Sequence, residues 1–501
     1  LDQKKLLGDV FMKDKKEQIL EKLKMSEVPP SVEVVPVAPA TPEPEAVTVK
    51  LPKPKKEFDV VSKAELSDVG NAARFADENV GKLVFVTEIG KWIFWDGKRW
   101  KTDYAGTHAQ GRAIASVNKF IQDVAAALVM TSREESLKWG VASLSRTHID
   151  AVPHLARDAL VTSTSKFDQH PFLLNTLSGT IDLRTGQLRE HQPEDMLTAM
   201  APVEYDPAAK CPMWEKFLAE ILPDIPMDYL QKWYGYCLTA DARERKFQIR
   251  QGREGKNGKT TEKNTILHVL GDYAIEVAMS MFVGKKRDYK GDDLVGLKNK
   301  RIVFASEPDD NVILNVSMLK QVVGRDTIRC RPLHSNTWYE FEARFKIAII
   351  TNPKPAIYDS SAPIWDRIHL IPYNVIFPEE KQDKELEDKL KLEAPGILAW
   401  MVRGCLLWQK SGLVAPTRVR NATDEYRVEQ DTFGQWLTEF KDTYPKPESG
   451  WMQQTQLYAL YTVWCGRYGS EKLGPKRFSQ ELAHRGLVSE RRAAGMFYCV
   501  V

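Results

Sequence analysis

The sequence predicts an α/β protein built around a parallel sheet, preceded by an α+β region and followed by a small winged-helix unit. Three observations carry that expectation. "GKNGKTTEKN" at 255–264 reads as a glycine-rich loop running into a helix. "KRIVFASE" (300–307) and "RFKIAIITN" (344–352) are apolar runs of the kind buried on both faces, each ending in a polar residue. Residues 431–501 show helical patterns at 433–442, 453–466 and 475–486, then "GLVSERRAAGMFYCVV", a strand, a basic turn and a second strand.

Taken in order, residues 1–24 place Leu7, Val10, Phe11, Ile19, Leu20 and Leu23 at roughly helical spacing among lysines and acids, predicting a short amphipathic helix. The eight prolines within 26–54 cannot build a core and favour an extended tether. With Leu1 in place of an initiating methionine, that tether is expected to lead back to a domain upstream. Globular composition begins near residue 58. "KWIFWDGKRW" (91–100) sets two aromatic-rich strands around Asp96-Gly97, a hairpin signal. Its tryptophans fit a packed core; interleaved with Lys91, Lys98 and Arg99, Trp92, Trp95 and Trp100 also fit a base-stacking platform. Helices are expected over 105–165 and from Trp214 to Leu238, with short strands between at 172–188.

Composition narrows the class. Basic residues number 71 and acidic residues 68, so the net charge of +3 says nothing about nucleic acid. Six scattered cysteines without a CxxC pair argue against a zinc site or a disulfide framework. No apolar run is long enough to span a membrane and no signal peptide opens the chain, which points to a cytoplasmic protein.

The chemistry concentrates between 250 and 370. A phosphate loop needs glycines so that backbone N–H groups turn inward, a lysine for the β and γ oxygens, and a hydroxyl for Mg²⁺. Gly258, Lys259 and Thr260 supply that end of the pattern, but the opening glycine of GxxxxGK[ST] falls on Arg253, with Gly252 one residue early. The preceding "KFQIRQG" (246–252) is also polar for a central strand, and a glycine-rich turn capping a helix would read the same way. Downstream, Glu307 stands at the end of one apolar run, placed to polarise a water, and Asn352 at the end of another, placed between that water and the γ-phosphate. "APIWDRIHLIPY" (362–373) sets Arg367 ahead of a further strand, where it can reach the nucleotide of a neighbouring subunit. "GRDTIRCRPLHSNTWYEFEARF" (324–345) reads as two strands around a polar tip, with Arg329 and Arg331 alternating on the first.

These segments resemble superfamily III helicases, in particular the helicase region of phage and plasmid primase proteins and of the poxvirus-type primase–helicases. The likeness rests on "DVGNAARFADENVGKLVFVTEIGKWIFWDGKRW" (68–100), "NTLSGTIDLRTGQL" (175–188) and "EYDPAAKCPMWEKFL" (204–218), then "NGKTT" to "VLGDYA" (257–274), "LVGLKNKRIVFASE" (294–307), "MLKQVVGRDTIRCRPLH" (318–334), "TNPKPAI" (351–357) and "IWDRIHLIPYNVIF" (364–377), in the family's order. Its loop reads GxGxNGK[ST], kept here as Gly255, Asn257, Gly258, Lys259 and Thr260 with only the first glycine lost.

The resemblance implies an AAA+-like P-loop core that binds ATP through Gly255, Asn257, Gly258, Lys259, Thr260 and Thr261, with Mg²⁺ on Thr260 and the phosphates and beside Glu307. Ser306 stands where many ATPases place an aspartate, leaving Glu307 alone in the carboxylate role. Catalytic roles fall to Lys259, Glu307, Asn352 and Arg367. The 324–345 hairpin would project into the channel of a hexamer, with His334 at its tip and Lys320, Arg329 and Arg331 along the single strand. Lys476 and Arg477 on a recognition helix, with Arg491 and Arg492 in a wing, would bind DNA from the C-terminal module.

The expected organisation is a helix and tether (1–55), an α+β domain of the primase–helicase type (56–225), the ATPase core (226–380), a helical connector (381–430) and the winged helix (431–501). The expected activity is ATP-driven movement on single-stranded or forked DNA, 3′ to 5′ by the family's habit. No clustered aspartates or zinc ribbon occur in 1–200, so a primase partner would lie upstream. Two other readings compete: a scaffold that binds ATP and DNA without translocating, and a P-loop small-molecule kinase, which would need neither hairpin nor winged helix.

Overall fold

The computed structural model describes residues 64–501 apart from 127–132, 253, 285–290, 307–311, 332–337, 358–361, 446 and 501. The polypeptide divides into Leu1–Glu57 and Phe58–Val501, and the first unit, with the helix and tether expected there, lies outside the described residues.

Helix α1 (Asp68–Asn79) starts at Ser67, whose hydroxyl accepts the Gly70 N–H at 3.1 Å, an N-cap that removes one orphan donor. Strands β1 (Leu83–Val86), β2 (Lys91–Trp95) and β3 (Trp100–Asp103) follow. At the β2–β3 turn the Asp96 carboxylate accepts the N–H groups of Lys98 and Arg99 at 2.8 Å each, which closes the hairpin with Trp95 opposite Trp100. Alternation sends Trp92 against Phe75 and Phe85 on one face and Trp100 against Phe167 on the other, leaving them 6% and 2% exposed. The packed reading of this hairpin holds and the three-tryptophan platform does not, because Trp92 and Trp100 are core and Trp95 is half-buried against the Trp100 cluster.

Helices α2 (Thr107–Ala126), α3 (Arg133–Ala142) and α4 (Arg146–Leu155) cover that sheet, which β4 (Val161–Thr162) extends in parallel beside β1. A three-stranded antiparallel sheet, β5 (Leu173–Asn175), β6 (Thr180–Asp182) and β7 (Gln187–Arg189), leads to α5 (Pro212–Ile221) and α6 (Met227–Cys237).

The central sheet then takes β8 (Phe247–Gln251), α7 (Lys259–Leu270), β9 (Ala274–Ala278), α8 (Gly291–Val295), β10 (Ile302–Ser306), α9 (Val316–Val323), the hairpin β11 (Thr327–Cys330) and β12 (Tyr339–Glu342), β13 (Lys346–Thr351), α10 (Ala362–Trp365) and β14 (Ile368–Pro372). Five strands lie in the order β14-β8-β13-β10-β9, all parallel. Both faces are covered. Phe304, Ile350 and Ile371 pack with α5, α6 and α7, whereas Ile249, Val303, Ile349 and Leu370 pack with Leu319, Val322 and Tyr426.

Two helices follow, α11 (Leu386–Leu392), which packs on α7, and α12 (Ala394–Ser411), which packs on α6. Helix α13 (Thr417–Gln430) then covers the free edge of β14, where the Thr423 hydroxyl accepts the Leu370 N–H at 3.0 Å. The chain ends in α14 (Thr432–Thr443), β15 (Trp451–Gln453), α15 (Gln454–Tyr468), α16 (Pro475–His484), β16 (Ser489–Arg492) and β17 (Gly495–Cys499), around a core of Phe433, Trp436, Tyr461 and Phe478. All six cysteines are free thiols and five are buried. Among the described residues no helix is long and apolar enough to cross a membrane.

Candidate nucleotide site

Strand β8 ends at Gln251 and α7 begins at Lys259, so residues 252–258 must turn the chain from the sheet edge into a helix. Two glycines make this turn feasible. A Cβ at Gly252 would lie 2.2 Å from the Asn257 amide nitrogen and 2.8 Å from the Lys259 ammonium; Gly258 holds φ +83° and would drive a Cβ to 2.6 Å from Ile221. Arg253 itself lies outside the described residues, but the glycine that the close approach requires is Gly252, one position ahead of where the motif spacing puts it. Gly255 lines the cleft with open space around it.

Lys259 is buried at 5% exposure. Its ammonium donates to Asn352 Oδ1 at 2.9 Å and to the carbonyls of Gly252 and Thr351 at 3.2 Å each. These acceptors are neutral, and burial lowers the lysine to about 8. Asn257 donates to the Glu254 carbonyl at 2.7 Å and so braces the loop. Thr260 is exposed and Thr261 half-buried, and both face a cleft of about 560 Å³ that Asn257, Lys263, Ser306 and Asn352 also line. Among the described residues no side chain caps α7, so its N-terminus presents N–H groups and the positive end of its dipole to the cleft. The structure thus brings Gly255, Asn257, Gly258, Lys259, Thr260, Thr261 and Asn352 together at the C-terminal edge of a parallel sheet, where such folds bind ligands.

Glu307 lies outside the described residues. Its neighbour Ser306 hydrogen-bonds to Glu276 on β9, which also accepts from Lys263 at 2.6 Å. Burial raises the Glu276 carboxyl, but the Lys263 and Ser306 hydrogen bonds outweigh it and hold the group below the usual carboxylate range. Glu276 does not itself line the cleft but holds Lys263 and Ser306, which do, and sequence reasoning missed it; a lone acid inside the apolar strand "AIEVA" was its only signal. Among the described residues no cluster of three His, Cys, Asp or Glu side chains gathers as a metal site.

The polar character of β8 has a structural reason. Arg250 points under α7 to Glu262, 3.4 Å away, and both are essentially unexposed. Glu262 also accepts from Tyr234 at 2.5 Å and from Tyr373, while Gln248 accepts from Arg250 at 3.1 Å. Burial, then the Glu262 charge, pushes the Tyr373 hydroxyl far above its usual range, so it remains a donor.

Arg367 occupies the opposite edge of the sheet. Its carbonyl accepts the Phe247 N–H at 2.9 Å, at the start of β8, and its guanidinium donates to the Lys320 carbonyl at 2.6 Å. Within one chain the structure therefore separates Arg367 from Lys259 by the length of a strand. Past Asn352, the chain is gripped by α13: Lys354 pairs with Glu429 at 2.6 Å, the Pro355 carbonyl accepts from Tyr426, and Ile357 N–H donates to Gln430 at 3.0 Å.

On the β11–β12 hairpin Arg329 and Arg331 are exposed, and His334 lies outside the described residues. In the C-terminal unit Lys476 and Arg477 are exposed on the first turn of α16. Arg491 and Arg492 are exposed on strand β16 rather than in a basic turn, because Ala493 and Ala494 form the turn; Arg492 pairs with Glu490 at 2.9 Å.

Residues 72–223 match the family described as D5 N terminal like. The resemblance to the primase–helicase family holds. Curated relatives include the protein named "Putative helicase L207/L206" of Acanthamoeba polyphaga mimivirus, 23% identical over 67% of this chain and 37% of its own length. Another is "Putative helicase 022R" of Frog virus 3 (isolate Goorha), 27% identical over 37% of this chain and 21% of its own. The chain thus spans well under half the length of these relatives. A solved structure of the NrS-1 C-terminal region is similar at TM-score 0.49 and 12% identity, covering 86% of this chain and 99% of that one.

Proposed function

We propose that this chain is the ATP-driven motor part of a replicative DNA helicase from a virus, phage or related mobile element, in which an AAA+-like P-loop core acts as a ring. The observation that carries the reading is the buried Lys259, directed with Asn352 into an uncapped helix N-terminus at the sheet's C-terminal edge. The names of the viral relatives support it.

In this reading the loop N–H groups and Lys259 bind the β and γ oxygens of ATP, and Lys259 exchanges its three neutral acceptors for phosphate. Asn352, released from the lysine, orients the attacking water, and Glu307 polarises it. Thr260, which faces the cleft, would supply one oxygen to a Mg²⁺ ion beside the phosphates, and such an ion would offset charge on the departing phosphate. Arg367, at the far edge, completes the site of the adjacent subunit, which makes a closed ring, a hexamer in this proposal, necessary for turnover. Lys320, Arg329, Arg331 and His334 line the channel and hold single-stranded DNA, with movement 3′ to 5′. The terminal unit is a winged helix whose Lys476, Arg477, Arg491 and Arg492 meet duplex DNA, and a primase acts from the upstream side. The domain limits 56–225, 226–380, 381–430 and 431–501 belong to the same proposal, as does a cytoplasmic setting.

Strand displacement on a forked duplex tests it. Lys259→Ala and Arg367→Ala are both expected to stop unwinding, and ATP turnover by the parent chain is expected to rise with single-stranded DNA. Turnover indifferent to DNA, from a protein that stays monomeric with both ligands, overturns the proposal.

A further inference from the structure

Most tryptophans of this chain are buried, and Trp95, Trp139 and Trp451 are half-buried. Trp338 is 55% exposed, and among the described residues it is the single tryptophan in the exposed class. It stands at the start of the returning strand of the β11–β12 hairpin. Register explains its direction: Cys330 faces Tyr339 and Arg329 faces Glu340, so side chains on the Cys330 side, with Ile328, enter the core, and Trp338 points to the other face with Arg329 and Arg331. The Arg329 guanidinium carbon lies 4.7 Å from the indole centroid and that of Arg331 5.6 Å. Glu340 is the acid opposite Arg329, while Glu342 is already held by Arg325 and Arg344 at 2.9 Å each.

We propose that Trp338 is a base-stacking residue for single-stranded nucleic acid, with Arg329 and Arg331 holding the flanking phosphates. The proposal rests on the helicase reading and deepens it, since phosphate contact alone makes a channel blind to whether bases are present. An exposed indole costs water contact that a lysine or serine at this position would avoid, and a π face beside two guanidinium groups matches a base and its phosphate together. The arginines supply charge complementarity to a polynucleotide, which an apolar protein partner would leave unpaired. Stacking tolerates any base, as a motor that must traverse every sequence requires.

The test compares an oligothymidylate with an abasic strand of equal length, by fluorescence anisotropy on the full chain with a non-hydrolysable ATP analogue. Trp338→Ala is expected to weaken oligothymidylate binding by at least roughly fivefold, while abasic binding and the unfolding temperature stay as in the parent. Trp338→Phe should retain most of the preference. Arg329→Ala with Arg331→Ala should weaken both strands alike and flatten the salt dependence. If Trp338→Ala leaves oligothymidylate binding intact, or weakens both strands equally, the stacking role is wrong and the helicase reading survives. A change in subunit assembly with strand affinities unchanged assigns Trp338 to a protein interface and also overturns the proposal. A parent protein that binds neither strand removes the helicase reading and the stacking role together.

Discussion

The Lys259 ammonium donates to the side-chain oxygen of Asn352 at 2.9 Å, joining the first turn of α7 to the end of β13. Without a phosphate the two residues satisfy each other, and a nucleotide must take the lysine from the amide. Asn352→Ala is therefore expected to leave nucleotide binding close to the parent value, since the lysine is freed, while turnover falls by about 10²–10³. Isothermal titration against steady-state hydrolysis separates the two effects; a parallel loss of both would show that Asn352 serves only to hold the lysine.

The lysine also sets a pH dependence. Its folded value of about 8 lies below the ordinary 10.5, so between those values the unfolded chain binds more protons than the folded one. The penalty for burying the charge is thus complete below pH 8 and is relieved as pH rises toward 10.5. Lys259→Met should raise the melting temperature of the nucleotide-free protein at neutral pH and leave it nearly unchanged at high pH. Phosphate restores the charged form, so nucleotide affinity should fall above about pH 8, with uptake of a proton. Calorimetry in buffers of different ionisation enthalpy detects that proton.

Glu262 anchors the buried network beneath the loop. Glu262→Ala strands the Arg250 charge and two tyrosine hydroxyls, and is expected to cost about 3–5 kcal/mol in urea unfolding. Removing both charges, as Arg250→Met with Glu262→Leu, should recover much of that loss, because the expense lies in the unpaired ion and not in the absent pair.

Arg367 gives a prediction about mixing. Arg367→Ala should bind nucleotide normally and lose turnover by about 10³–10⁵, the range for an arginine supplied across an interface. Mixed with Lys259→Ala chains, it should regain part of the activity, since each inactive subunit then contributes the residue that its neighbour lacks. Mixtures as inactive as either variant alone would mean that Arg367 acts within its own chain.

The terminal module is tested by salt. Lys476→Ala with Arg477→Ala should lower duplex affinity and reduce the slope of log affinity against log salt by about 0.9 per lost phosphate contact. An unchanged slope would assign this face of α16 to another partner.

How far the sequence could be read follows from the range of the contacts. The β2–β3 hairpin announced itself through Asp96-Gly97, because an Asx turn is made by residues three apart. The helices of the terminal unit were legible within two residues from periodicity alone, and the apolar runs of β10 and β13 through continuous hydrophobicity. The polar strand β8 looked wrong for the centre of a sheet because its partners, Glu262, Tyr234 and Tyr373, are up to 123 residues from Arg250 along the chain, and no local pattern joins them. Glu276 escaped for the same reason: its pairing with Ser306 exists only once β9 and β10 lie side by side. The glycine shift from 253 to 252 depends on where Asn257 and Lys259 pass in space, which spacing rules do not encode.

Helix α13 holds the three residues Lys354, Pro355 and Ile357 through Glu429, Tyr426 and Gln430, and the next residue, Asp431, caps α14 and pairs at 2.6 Å with Arg485, the C-cap of α16. Asn352 cannot shift far without either tearing those attachments or dragging a fourteen-residue rod along with it. The wiring of the fold therefore gives the chemistry edge a stiff lever arm, whose far end sits at the root of the C-terminal module.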